Sequence, residues 1–271
     1  MNSLQPYDGN KRIVSQQKET EREKVYVYIY KNLKYAQGFL LAICLFLLFS
    51  IYNYFENIYL EKQLLEVEKE SESSDVLELD QYIESVIEQA EDEKFESKDK
   101  KGNYESPWKS FTEEERAKYT KAFIKKVAPL AVNEAKLTKI PASVTIAQAC
   151  IESECGFSTL AVKAKNHFGI KCFNKNCPKG HCMRFTDDSY YDRFKKYSSL
   201  EASIHDHSRF LQYDREGNRN KRYRFLWGYD KNFKKWCHGL ERAGYATDKN
   251  YGEKLEAFII KNGLQKYDAL Y

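Results

Sequence analysis

The sequence predicts a mainly helical domain set behind one membrane-spanning helix and an acidic stalk. Three observations predict it: an uncharged apolar run over residues 35–55, a Glu-rich stretch over 56–106, and helix-start signals with helical apolar spacing after Pro107. At 271 residues the chain has room for a medium domain with appendages. Its net charge of +4 hides an asymmetry: roughly +3 over residues 1–34, about −10 over 61–100 and about +12 from 101 onward. A basic globular part suits an acidic polymer, whether nucleic acid, anionic lipid or a carboxylate-bearing wall, and charge alone does not choose among them.

Residues 1–34 read as a cytoplasmic tail. The run from Tyr35 to Tyr54 carries no charge and, at about 1.5 Å per residue, is long enough to cross a hydrocarbon core of about 30 Å. Tyr35, Tyr52 and Tyr54 fall where an aromatic belt sits, with Lys31 and Lys34 on one flank and Glu56 and Glu61 on the other, so the tail faces the cytoplasm and everything after the helix is exported. A cleaved signal peptide fits worse, because no small-x-small site follows the run. Leu41-Ala42-Ile43-Cys44 is a poor lipoprotein box, with bulky Ile43 before a mid-run cysteine. Residues 56–106 form the stalk; Leu60, Leu64, Val67, Val76, Leu79, Ile83 and Ile87 lie at near-helical spacing. A helical stalk would span roughly 75 Å, and a disordered acidic linker would serve as well.

The folded domain is 107–271. Thr112-x-x-Glu115 is a capping box that opens a helix with Tyr119, Phe123, Ile124 and Val127 on one face, and Pro129 is expected to restart or kink it. Ile140-Pro141-Ala142-Ser143 starts a second helix, running to Gly156 as C-cap. Glu152 therefore sits in a last helical turn, where the negative end of the helix dipole and any apolar cover favour the protonated carboxyl. A carboxyl that keeps its proton near neutral pH is what a glycosidase requires of its general acid.

The run from Pro141 to Cys172, PASVTIAQACIESECGFSTLAVKAKNHFGIKC, resembles the glucosaminidase domain of glycoside hydrolase family 73, the flagellar-muramidase and autolysin type. The matching residues are Ser143, Ala147, Gln148, Ala149, Glu152, Ser153 and Gly156, then Asn166, Phe168, Gly169, Ile170 and Lys171. Phe194 to Leu211 and Trp236 to Leu255 are similar to the family's closing helices. The resemblance implies an α+β, mainly α, lysozyme-like domain with a small β-hairpin. It also implies an endo-β-N-acetylglucosaminidase that hydrolyses the β-1,4 bond after N-acetylglucosamine in peptidoglycan glycan strands. Glu152 would be its acid, with Asn166, Phe168, Gly169, Tyr245 and Tyr251 shaping and lining the sugar groove. Two departures stand out. The family usually has Gly and Trp where this chain has Glu154 and Cys155, and a Cys155 disulfide is one replacement for the Trp as a local staple. The family's second carboxylate lies on the hairpin, where HCMRFTDDSYYDRFKKY offers Asp187, Asp188 and Asp192 without a clean match. Asp187 or Asp188 is the expected base, unless the substrate's N-acetyl group assists. The expected location is the bacterial inner membrane, single-pass, with the domain outside. A lytic transglycosylase and an inactive wall-binding module are the rival readings.

Six of the seven cysteines, Cys150, Cys155, Cys172, Cys177, Cys182 and Cys237, follow the apolar run. In an exported chain they point to disulfides, with fifteen full pairings left open. Cys172-x4-Cys177-x3-His181-Cys182 also reads as four zinc ligands, but lacks the tight Cys-x2-Cys of structural sites, so no metal or cofactor is expected. Cys150 and Cys237 fall on helices where a buried free thiol is an alternative. His205 and His207, in a helix opened by Ser198-x-x-Glu201, point to opposite sides and cannot share an ion. The basic, aromatic run from Arg215 to Trp236 fits solvated cations around a sugar groove better than nucleic acid. Besides glycan strands and the membrane, other envelope partners are left unidentified.

Overall fold

A computed structural model describes residues 9–96, 106–172, 180–184, 192–214 and 216–271. They divide into two units, 1–59 and 60–271. The described part of the first unit lies in helix α1 (Gly9–Ser71), along which Phe39, Leu40, Leu41, Phe46 and Phe49 are exposed. Among the described residues it is the one helix long and apolar enough to cross a membrane.

In the second unit, side-chain caps open several of the helices. After α2 (Ser74–Glu96), the Thr112 hydroxyl accepts from the Glu115 N–H while Glu115 accepts from Thr112, closing the capping box of α3 (Glu113–Thr138). Pro129 does not break α3, contrary to expectation. Its neighbours Val127, Ala128, Ala131 and Val132 are fully buried, and that packing holds the helix through the missing N–H. α4 (Ala142–Ser153) is apolar almost all round and therefore central, packed against α3 and the C-terminal elements, with every side chain from Ala142 to Cys150 buried.

The rest surrounds α4. α5 (Thr159–Ala164) leads to a two-stranded antiparallel sheet in which β1 (Cys182–Arg184) pairs with β2 (Arg193–Lys195), Met183 opposite Phe194. A Cys172–Cys182 disulfide joins the strand to the preceding loop, which removes two thiolates from the zinc reading. α6 (Leu200–Gln212) is capped by Ser199, one residue after the expected Ser198, because the Ser199 hydroxyl is the one that accepts from the Ala202 N–H. α7 (Phe233–Arg242), α8 (Tyr251–Lys261) and a 3-10 segment, Leu264–Leu270, close the core, where Trp236 is fully buried and donates to the Asp230 carbonyl at 2.7 Å.

The apolar stripe read as a stalk has a partner. Leu60, Leu64, Val67, Tyr82 and Ile83 pack against the core of the second unit, and Val76 and Leu79 are buried in it. Asp75, Glu78 and Asp80 on α2 pair with Lys125, Lys118 and Lys126 on α3. The acidic charge of this stretch is thus partly matched by the basic domain, with apolar burial of about 2 kcal/mol per large side chain as the larger contribution.

Candidate active site

Glu152 stands in the last turn of α4, as its position in sequence predicts, but the helix ends earlier than expected. Glu154, not Gly156, is the C-cap. Glu154 and Cys155 both take the left-handed conformation at φ 52° before Gly156 continues it at 92°. This sharp turn presents the end of α4 to a surface cleft of about 390 Å³, lined by Lys109, Ile151, Glu152, Glu154, Ser158 and Thr159 among others.

Two tyrosines and a glutamine organise the carboxyl from the other side. The Tyr251 hydroxyl donates to Glu152 Oε1 at 2.8 Å and accepts from Gln148 Nε2 at 3.0 Å. Gln148 lies four residues before Glu152, on the same helix face, so one element supplies both ends of the relay. Tyr245 stacks on Tyr251 with ring centroids 5.6 Å apart. Burial raises the Glu152 pKa above the ordinary carboxylate value, and the Tyr251 hydrogen bond opposes part of that rise. Because a hydroxyl has a single hydrogen, Tyr251 spends it on Oε1, leaving Oε2 as the oxygen that can carry a proton.

The other expected groove residues hold the scaffold. Asn166 is buried. Its amide donates to the carbonyls of Ile170 and Lys195, both at 3.0 Å, and its carbonyl accepts from the Ile170 N–H at 3.0 Å. Phe168 is buried too, stacked at 4.1 Å on His207. With 1% and 5% of their surfaces exposed, these two hold the loop from behind. Gly169 takes the left-handed conformation at φ 63°, which favours glycine, with open space where a Cβ would stand. Asp187 and Asp188 lie outside the described residues. Asp192 pairs with Lys171 at 3.0 Å. His207 is fully buried, with its pKa lowered to about 3 by burial, and His205 is largely exposed beside Glu134, so the pair diverges as expected.

Two contributors carry little or no signal along the chain. Gln148 is legible only as a motif residue, its spacing from Glu152 being the available sign. Asp268 caps the opposite end of α4, accepting from the Ser143 N–H at 2.9 Å and the Ser143 hydroxyl at 2.6 Å. No local pattern signals a partner 125 residues away.

Residues 128–264 match the family model described as mannosyl-glycoprotein endo-beta-N-acetylglucosaminidase. Exo-glucosaminidase LytG of Bacillus subtilis is 35% identical over 134 residues, which is 46% of this chain and 45% of that protein. Peptidoglycan hydrolase FlgJ of Vibrio cholerae is 29% identical, covering 49% of this chain and 41% of its own. The chain thus spans less than half the length of these relatives. Among solved structures, the glycoside hydrolase domain of Salmonella typhimurium FlgJ is 26% identical, covers 54% of this chain and 90% of that one, and has a TM-score of 0.43.

Proposed function

Since the chain belongs to the glucosaminidase family, we propose that it is a membrane-anchored peptidoglycan hydrolase, an endo-β-N-acetylglucosaminidase that cuts the β-1,4 bond after N-acetylglucosamine. The observation that carries this reading is Glu152: a carboxyl of raised pKa, held at one oxygen by Tyr251 and opening on a cleft. Relatives whose names record glucosaminidase and peptidoglycan hydrolase activity support the substrate class.

In this mechanism the glycan lies across the cleft and Glu152 Oε2 gives its proton to the departing glycosidic oxygen. As negative charge develops on the carboxylate, the Tyr251 hydrogen bond strengthens, a gain made in the transition state and not in the ground state. Water completes the cleavage, activated by Asp187 or Asp188 or captured after assistance from the substrate's N-acetyl group. Helix α1 anchors the chain in the inner membrane in a single pass, the lysine-flanked tail inside and the hydrolase outside.

Digestion of purified peptidoglycan by the detergent-solubilised full chain, wild type beside Glu152→Gln, tests it. Reducing N-acetylglucosamine ends that the amide variant does not make are the expected result. Terminal 1,6-anhydro sugars would identify a lytic transglycosylase, and sacculus binding without new ends would identify a binding module.

A further inference from the structure

The turn after Glu152 brings two cysteines together. The Cys155 N–H donates to the Cys150 carbonyl at 2.9 Å, the six-residue hydrogen bond of a Schellman ending, with Glu154 in the left-handed position between them. That motif places the side chains of its first and last residues against each other, commonly as an apolar contact. Here both are cysteine and both are buried, at 2% and 1% exposure. Burial, and then the neighbouring Cys155 thiol, push the Cys150 thiol well above its ordinary range. The Thr120 hydroxyl, 3.4 Å from the Cys155 sulfur, fixes the second thiol from α3.

We propose that Cys150 and Cys155 are a disulfide-forming pair that staples the end of the helix carrying Glu152. The turn needs one. Two successive non-glycine residues are held at positive φ, a conformation most side chains disfavour, and a covalent link across the turn removes the alternatives the open chain would adopt. The link forms by exchange with an external disulfide such as oxidised glutathione. One cysteine thiolate attacks the reagent and releases one thiol. The second cysteine then attacks the mixed disulfide, forming the Sγ–Sγ bond and releasing another, so two cysteine thiols are oxidised as one disulfide is reduced to two thiols. Oxidation in the cell rests on the proposed export of the domain; the pairing itself rests on the turn.

Residues 140–163 contain no internal lysine or arginine, so trypsin releases both cysteines on one peptide. The full chain, taken from cells with free thiols trapped by iodoacetamide, is expected to yield this peptide unalkylated and two hydrogen masses light. The same chain, reduced and then incubated with oxidised glutathione in sub-denaturing urea to permit local opening, is expected to regain that mass. A doubly alkylated peptide after the glutathione step, or one linked to the peptide bearing Cys177 or Cys237, overturns the pairing. Closure with glutathione but open thiols in cells leaves the pairing standing and refutes export. As a second readout, reductant should lower Tm by about 5 °C more in wild type than in Cys155→Ala, where, among the described residues, Cys172–Cys182 is the disulfide left to be cut. Equal shifts in both count against the staple.

Discussion

The two ends of α4 each hold a carboxyl whose pKa is raised by burial, and they differ in everything else. At the N-terminal end Asp268 accepts two hydrogen bonds from Ser143, and its pKa stands at about 6. It is 7% exposed, enclosed by the core. At the C-terminal end Glu152 receives one hydrogen bond, from Tyr251, and lines a cleft. A raised pKa therefore does not by itself mark a catalytic group. Access separates the two: Asp268 is enclosed by the core with both oxygens accepting from Ser143, whereas Glu152 lines a cleft and keeps Oε2 clear of the Tyr251 hydrogen bond.

Glu152→Gln should break the comparison most sharply, lowering the rate of glycan cleavage by about 10³-fold while moving Tm by no more than a degree or two. The amide keeps the volume and an acceptor for Tyr251 but has no acidic proton. Asp268→Ala should do the reverse. By stranding the buried Ser143 N–H and hydroxyl it is expected to cost about 2–3 kcal/mol, lowering the urea midpoint, with the rate per folded molecule retained well below the melting temperature.

A smaller effect, about tenfold in kcat, is expected from Tyr251→Phe, and its pH profile is the sharper readout. The Tyr251 hydrogen bond holds the Glu152 pKa down, so its loss raises that pKa and shifts the basic limb of kcat/KM to higher pH. A limb that stays put would separate Glu152 from the titration of the rate. The smallest effect concerns His207, buried and neutral, for which no protein partner is found at either ring nitrogen among the described residues. Its folded pKa, about 3, lies below the ordinary 6.5, so the stability tied to its neutral form is present above 6.5 and is lost as pH falls toward 3. Asp268 acts in the opposite sense. Its folded pKa exceeds the ordinary 3.8, so its contribution is complete below 3.8 and is lost as pH rises through about 6. His207→Phe, which keeps a ring on Phe168, should therefore flatten the acid side of the stability curve and leave the basic side of the window unchanged.

Much of the fold and the centre of the site are legible in local sequence. The Thr112–Glu115 capping box, the start of α4 after Pro141, and the placement of Glu152 in a last helical turn are written in residues no more than a few positions apart. The stripe from Leu60 to Ile83 is legible as a helical face but not as one with a partner, because amphipathic spacing says that a face is buried and not against what. Pro129 misleads for a related reason: the local cost of proline is real, and packing on all sides outweighs it.

By itself, then, the sequence determined the starts of α3 and α4, the long apolar N-terminal run and the residue at the cleft, since caps, propensity and periodicity act within a turn or two of chain. Only the tertiary structure decided that Tyr251, 99 residues away, would hold Glu152, that Asp268, 125 residues from Ser143, would close the other end of the helix, and that Cys172 would choose Cys182. Those choices depend on which surfaces meet when α4 is buried, and no spacing along a chain records the distance between elements that come together only by packing around it.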